Sequence, residues 1–234
     1  MSSIPVATRD IRRVLIANRG EIAVRIVRAC KTLGIESVAA VSEADQDSLA
    51  ARLADEYVVI GPAPAAQSYL CADLLVRTAL EQRCDAIHPG YGFLSERSHF
   101  AQACEDAGIA FIGPSAEIID SMGDKITAVG LAEKAEVPRV PGSDAVADAE
   151  TARAIASDIG YPVLFKATAG GGGRGMRIVR SDDEAEAAFR SASSEAQAAF
   201  GDPTLYVEKF IELARHIEIQ IMGDRHGNVV HLGE

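Results

Sequence analysis

Lys166-Ala167-Thr168-Ala169-Gly170-Gly171-Gly172-Gly173-Arg174-Gly175-Met176-Arg177 places five glycines within six positions. The apolar runs on either side, 163–167 and 176–179, read as strands, so the glycines lie in a loop between two strands. Residues without a Cβ let successive backbone N–H groups converge on an anion at close range. Lys166, at the end of the first strand, adds a point charge suited to a phosphate. Gly170, Gly172 and Gly175 also satisfy G-x-G-x-x-G, but that dinucleotide pattern needs a following helix to receive a pyrophosphate, and here the chain continues as a strand. A flexible cover over nucleotide phosphates fits better, with a merely mobile hairpin as the plainer alternative. No G-x-x-x-x-G-K-[ST] occurs, so a P-loop is unsupported.

Outward from this loop, residues 12–112 alternate short apolar runs with helical periodicity. Val14-Leu15-Ile16-Ala17 is the continuous apolar run of a strand buried on both faces. Ile22, Val24, Ile26, Val27, Cys30 and Leu33 then recur at helical spacing, and Gly34 reads as the stop. Further strands at 37–41, 57–60, 86–87 and 109–112, with helices at 70–82 and 99–107, predict a parallel, doubly wound sheet. The prolines and glycine of Val137-Pro138-Arg139-Val140-Pro141-Gly142-Ser143-Asp144 read as a connector. A helix at 148–159, the two strands around the glycines and a helix from Asp182 to about Phe200 predict a small α+β unit. From Thr204, the runs 205–210, 217–221 and 229–232 read as antiparallel strands opening a third, unfinished sheet. The expected fold class is α/β, divided at 1–122, 123–203 and 204–234.

Composition narrows the function. Thirty-four acidic against 23 basic side chains give a net charge of −11, which argues against a general nucleic-acid or anionic-membrane binder but leaves room for a local basic pocket. With no tryptophan and 5% aromatics, there is little to stack on bases. No apolar run approaches the roughly 18 residues of a membrane span, and the start of the chain lacks the apolar core of a signal peptide, so the chain reads as cytoplasmic. Cys30, Cys71, Cys84 and Cys104 are scattered and read as buried free thiols rather than a metal or redox site.

Four other motifs carry chemistry. Gly123-Asp124-Lys125 opens a helix after a connector, where a lysine would meet a second phosphate or simply be solvated. His88-Pro89-Gly90-Tyr91-Gly92-Phe93-Leu94-Ser95-Glu96 follows a strand, the place where open α/β sheets bind ligands; the alternative is a loop ending in a Ser95-Glu96 helix cap. Asn18-Arg19-Gly20-Glu21 is placed similarly, and pairing with neighbours is favoured there over anion binding. Glu208-Lys209-Phe210-Ile211 offers a strand edge beside apolar side chains, able to read an adenine edge, and strand alternation would put His216, Glu218 and Gln220 on one face. That face is either a polar cavity or the solvent side of a sheet.

Together these stretches resemble the biotin carboxylase component of biotin-dependent carboxylases, within the ATP-grasp superfamily. The resemblance runs from about Ile11 onward and rests on LIANRGEIAVRI (15–26), HPGYGFLSE (88–96), FIGP (111–114), MGDK (122–125), KATAGGGGRGMR (166–177), EKFI (208–211) and RHIEIQI (215–221). Within the family the likeness is to an acyl-CoA carboxylase α-chain, though pyruvate, methylcrotonyl and urea carboxylases share the motifs. It implies a pre-ATP-grasp domain, an ATP-grasp lid and the beginning of a truncated antiparallel ATP-grasp sheet. The implied reaction activates bicarbonate with ATP as carboxyphosphate, which carboxylates N1 of biotin on a carrier, the first half-reaction of an acetyl- or propionyl-CoA-type carboxylase. By resemblance, Lys125 and Lys166 hold ATP phosphates beneath the Gly172-Gly173 backbone, and Glu208, Lys209, Phe210 and Ile211 form the adenine hinge. His216 and Glu218 lie beside the ribose and the reacting centre, and Tyr91 and Gly92 border the biotin ureido ring. The acidic Mg2+ ligands, the bicarbonate-binding arginine and the general base are expected beyond Glu234, so residues 1–234 are expected not to complete catalysis alone. Implied partners are a biotin carboxyl carrier, a carboxyltransferase subunit and a second copy through the first domain. The rivals are another ATP-grasp carboxylate ligase and a non-catalytic nucleotide-binding or dimerisation module.

Overall fold

The computed structural model describes residues 10–123, 125–168, 174–224 and 226–234, apart from the side chains of Lys125 and Ile126. The chain divides into two compact units, Met1–Ala135 and Glu136–Glu234.

In the first unit, β1 (Arg13–Ile16), β2 (Glu36–Val41), β3 (Glu56–Val59), β4 (Ala86–His88) and β5 (Ala110–Phe111) form one parallel sheet in the order β3-β2-β1-β4-β5. The helices are α1 (Gly20–Leu33), α2 (Leu49–Leu53), α3 (Ala72–Glu81), α4 (Ser98–Asp106), α5 (Ala116–Gly123) and α6 (Lys125–Lys134). Along β1 the side chains alternate between two cores. Val14 and Ile16 pack with Ile26, Val27 and Cys30 of α1, while Leu15 faces Leu75 of α3 and Phe100 of α4. Cover on both faces is why this strand is apolar at consecutive positions. The order reverses between β1 and β4, which makes the turns after these two strands the switch point of the sheet.

The second unit contains β6 (Gly142–Val146), α7 (Ala149–Ile159), β7 (Val163–Ala167), β8 (Met176–Val179), α8 (Asp182–Phe200), β9 (Leu205–Lys209), β10 (Ile221–Gly223) and β11 (Val229–His231). Strands β6-β9-β7-β8 form an antiparallel sheet. Val163, Phe165, Leu205 and Val207 pack against Ala152 and Ala156 of α7 and against Phe189 and Ala192 of α8. The alanines of α8 let the helix lie close to the sheet. A Cβ on Gly175, whose φ is +65°, would sit 2.9 Å from the Ala167 Cβ and 3.3 Å from the Ala196 Cβ. Asp148 caps α7 by accepting from the Thr151 N–H at 2.8 Å, and that bond holds its carboxyl below the usual range.

Several elements differ from expectation. Leu205–Lys209 does not open a third sheet; it is the strand between β6 and β7. Gly142, Ser143 and Asp144, read as the end of the connector, belong to the edge strand Gly142–Val146, a position that tolerates polar residues and a preceding proline. Lys125 does begin a helix, but it follows α5 rather than a connector. Of the run 217–221 only Ile221 is in a strand, and β10 pairs with β11 alone. Cys30, Cys84 and Cys104 are buried free thiols, while Cys71 is partly exposed at the start of α3. Burial pushes the Cys84 thiol up to about 11 and the Cys104 thiol up to about 12, far from thiolate formation at neutral pH.

Phe165 is fully buried and meets Phe189 edge-on at 6.0 Å. Phe165→Ala is expected to lower the unfolding free energy of the second unit by about 3–5 kcal/mol, read from the midpoint of a urea titration.

Candidate functional site

Strand alternation explains the first cluster. Phe165, Leu205 and Val207 point toward α7 and α8, so Lys166, Tyr206 and Glu208 project from the opposite face of the sheet. Lys166 Nζ donates to Glu208 Oε2 at 3.0 Å and lies 5.3 Å from the centre of the Tyr206 ring. Burial alone would lower the Lys166 pKa, but the bonds to Tyr206 and Glu208 outweigh it and hold the ammonium above its ordinary value. The charge is thus fixed in place at a partly exposed site, and Tyr206, which the motif reading passed over, helps to fix it. Alternation against Lys166 was the signal that could have found it.

Lys209 ends β9 and points elsewhere. Its Nζ donates to the carbonyls of Gly160 at 2.7 Å and Tyr161 at 3.0 Å, just past the end of α7, where a helix dipole favours a cation. The Phe210 N–H adds a bond to Pro162 O at 3.1 Å, and the Lys209 N–H one to Pro141 O at 2.8 Å. Lys209 therefore splints the end of β9 against the turn after α7 with its side chain, while Ile211 is exposed beside it.

At the switch point of the first unit, the turns after β1 and β4 are tied together. Asn18 Nδ2 donates to Pro89 O at 2.6 Å and Tyr91 O at 2.8 Å, and the Tyr91 hydroxyl donates to the Glu21 carboxylate. Arg19 makes a two-pronged pair with Asp45 at 2.9 and 2.7 Å, which bears out the favoured reading of this motif as pairing with neighbours. The Gly90 N–H donates to His88 Nδ1 at 3.1 Å, and burial lowers the His88 pKa, so the ring is neutral with Nδ1 as acceptor. The Ser95-Glu96 cap of the alternative reading is not formed: α4 starts at Ser98, and Arg97 precedes it without a side-chain cap.

Comparison with known proteins identifies the halves. Residues 10–119 match the family described as biotin carboxylase, N-terminal domain, and residues 124–234 match carbamoyl-phosphate synthase L chain, ATP binding domain. The biotin carboxylase of Nostoc sp. is 55% identical over 223 residues, covering 95% of this chain and 50% of that protein. The chain carries a biotin carboxylase N-terminal domain followed by an ATP-binding domain. The crystal structure of the biotin carboxylase-β,γ-ATP complex from Campylobacter jejuni superposes with a TM-score of 0.83 at 49% identity, covering 95% of this chain and 50% of that one. The biotin carboxylase domain dimer of the Hydrogenobacter thermophilus 2-oxoglutarate carboxylase, in complex with MgADP, ADP and bicarbonate, gives a TM-score of 0.80 at 51% identity, with 95% and 49% covered. The chain spans about half the length of the curated biotin carboxylase it matches.

Of the residues expected in a biotin carboxylase site, Lys166 and Glu208 stand together, with Tyr206 beside them, and Tyr91 and Gly92 lie on the switch-point turn. Gly172, Gly173 and the Lys125 side chain lie outside the described residues. His216 Nε2 is 2.9 Å from Glu218 Oε1, both highly exposed, and with Ile217 and Glu234 they line a hollow of about 340 Å³. They sit in an irregular segment, so the expected shared strand face of His216, Glu218 and Gln220 is not formed. Among the described residues no group of three or more His, Cys, Asp or Glu side chains could hold a metal ion, and none is assigned to Mg2+. No helix of the described residues is long and apolar enough to cross a membrane.

Two outcomes follow from this geometry. Lys209→Met leaves the Gly160 and Tyr161 carbonyls without their charged partner and should cost the second unit about 1–3 kcal/mol in a denaturant titration, with Lys209→Arg recovering part of it. His88 has a folded pKa below its ordinary value of 6.5, so its contribution to stability is fully present above 6.5 and is lost as pH falls through the folded pKa. Urea midpoints at about pH 7.5 and about pH 5 should differ less in His88→Gln than in the parent chain.

Proposed function

We propose that this chain supplies the ATP-binding part and one wall of the biotin site of a biotin carboxylase, which uses ATP and bicarbonate to carboxylate carrier-bound biotin by way of carboxyphosphate. The observation that carries this is the fixed ammonium of Lys166 on the sheet face that α7 and α8 leave uncovered. Phosphoryl transfer asks the protein for positioned positive charge rather than covalent chemistry. An ammonium has three N–H donors, so Lys166 can hold Glu208 and Tyr206 and still give a third to a phosphate oxygen.

In this reading Lys125 contributes the second phosphate charge, and the Gly172 and Gly173 backbone closes over the phosphates and excludes water from the labile mixed anhydride. The adenine lies on the 208–211 hinge, whose backbone geometry Lys209 stabilises from behind. His216 and Glu218 line the ribose side, and Tyr91 and Gly92 border the ureido ring. The Campylobacter protein in complex with β,γ-ATP and the Hydrogenobacter dimer with MgADP and bicarbonate support the ligand set and a paired assembly; that the pairing runs through the first unit is our reading from the resemblance. A biotin carboxyl carrier and a carboxyltransferase complete the cycle. The setting we infer, an acyl-CoA carboxylase α-chain, rests on the sequence motifs.

Titration calorimetry of the chain with a non-hydrolysable ATP analogue should show saturable binding. Lys166→Met should weaken it by about ten- to a hundredfold, the worth of a hydrogen bond from a charged donor. Unchanged affinity in Lys166→Met would remove the basis of the assignment.

A further inference from the structure

The turn after β1 sits where a ligand group would be expected, yet its polar atoms are already engaged. Asn18 is 4% exposed; both of its N–H donors go to the Pro89 and Tyr91 carbonyls, and its Oδ1 accepts from the Arg19 N–H at 2.9 Å. Arg19 is held by Asp45. The first turn therefore serves the second.

The second turn needs such support. Gly90 has φ +65°, and a Cβ there would lie 2.8 Å from Asn18 Nδ2 and 3.0 Å from the Ile22 side chain, so the backbone is pressed against the carboxamide that binds it. Phe93 has φ +41°, a strained value for a bulky residue. Its ring lies parallel to that of Tyr69, 3° apart in plane and 5.3 Å between centres. Tyr69 is 1% exposed; its hydroxyl donates to Asp45 Oδ2 at 2.8 Å and accepts from the Ser42 N–H at 2.9 Å. Between these two anchors Tyr91 stays 60% exposed, held at its tip by Glu21. A short turn is thus clamped at both ends while its aromatic side chain is presented outward.

We propose that Asn18 is a positioning residue for biotin: by holding the Pro89 and Tyr91 carbonyls it preforms the 89–93 turn, with the Tyr69–Phe93 stack as its second anchor. This rests on the reading that Tyr91 and Gly92 border the ureido ring. A preformed turn spends no binding free energy on ordering itself, so its loss falls on the substrate it faces and not on ATP.

The test is biotin-dependent ATP cleavage by the full-length gene product, with free biotin as the probe, together with amide hydrogen exchange across residues 89–93. Asn18→Asp keeps the shape but removes both donors; Phe93→Gly keeps the backbone conformation but removes the ring, and it carries the test if the first variant does not fold. Each should raise KM for biotin by roughly tenfold or more, leave KM for ATP within about twofold, and speed exchange in the turn. Equal rises in both KM values, or an unchanged KM for biotin, would overturn the proposal. If parent-protein turnover ignores biotin, the functional reading fails instead, and exchange in the turn that is unchanged by Asn18→Asp would then overturn the clamp independently.

Discussion

Strand β1 is hydrogen-bonded along both edges and packed on both faces, and the first unit is arranged around that constraint. Parallel neighbours cannot be joined by tight hairpins, so each connection must cross over the sheet, and helices supply the crossings. The chain leaves β1 toward β2 and β3 on one side and later reaches β4 on the other. The turns after β1 and β4 therefore part company at the carboxyl ends of their strands, which leaves a gap that side chains from one turn can use to steady the other. The Asn18 contacts with Pro89 and Tyr91 are that gap put to use.

The second unit solves a different problem. Among the described residues its helices pack on one face of the antiparallel sheet, so period-two alternation sorts β7 and β9 into packing residues and available residues. Phe165 and Val207 hold the layer together; Lys166, Tyr206 and Glu208 are released from that duty. A partly buried ammonium would be unfavourable without partners, and the carboxylate and phenol beside it make the charge tolerable while keeping it rigid. Packing and charge placement are set by the same register.

Much of this could be read from the amino-acid order. β7 and β8 fall where the apolar runs beside the glycines put them, and the acids at 182–184 mark the start of α8. β1 and β2 were visible because cover on two faces leaves an unbroken apolar signature. β6 was not visible, since an edge strand can be polar, and the alternation of Ile217-Glu218-Ile219 was misleading, since it tells which side chains would share a face only if a neighbouring strand pairs there. Motifs named Lys166, Glu208 and Lys209, but not that Lys209 turns to backbone carbonyls. The task of Asn18 was illegible because its partners lie 71 and 73 residues away along the chain.

Gly175 shows how little slack the second unit has where α8 meets the sheet. Its carbonyl accepts from the Ala167 N–H at 2.9 Å, and the methyl groups of Ala167 and Ala196 close the space around its Cα. Every missense change reachable from a glycine codon by one nucleotide adds a β-carbon, so each such step would have to push the helix away or twist the strand entry. The position has no gentle neighbour in mutational space, and drift toward another residue would require Ala167 or Ala196 to change first, which small side chains that are already alanine can do only by becoming glycine themselves.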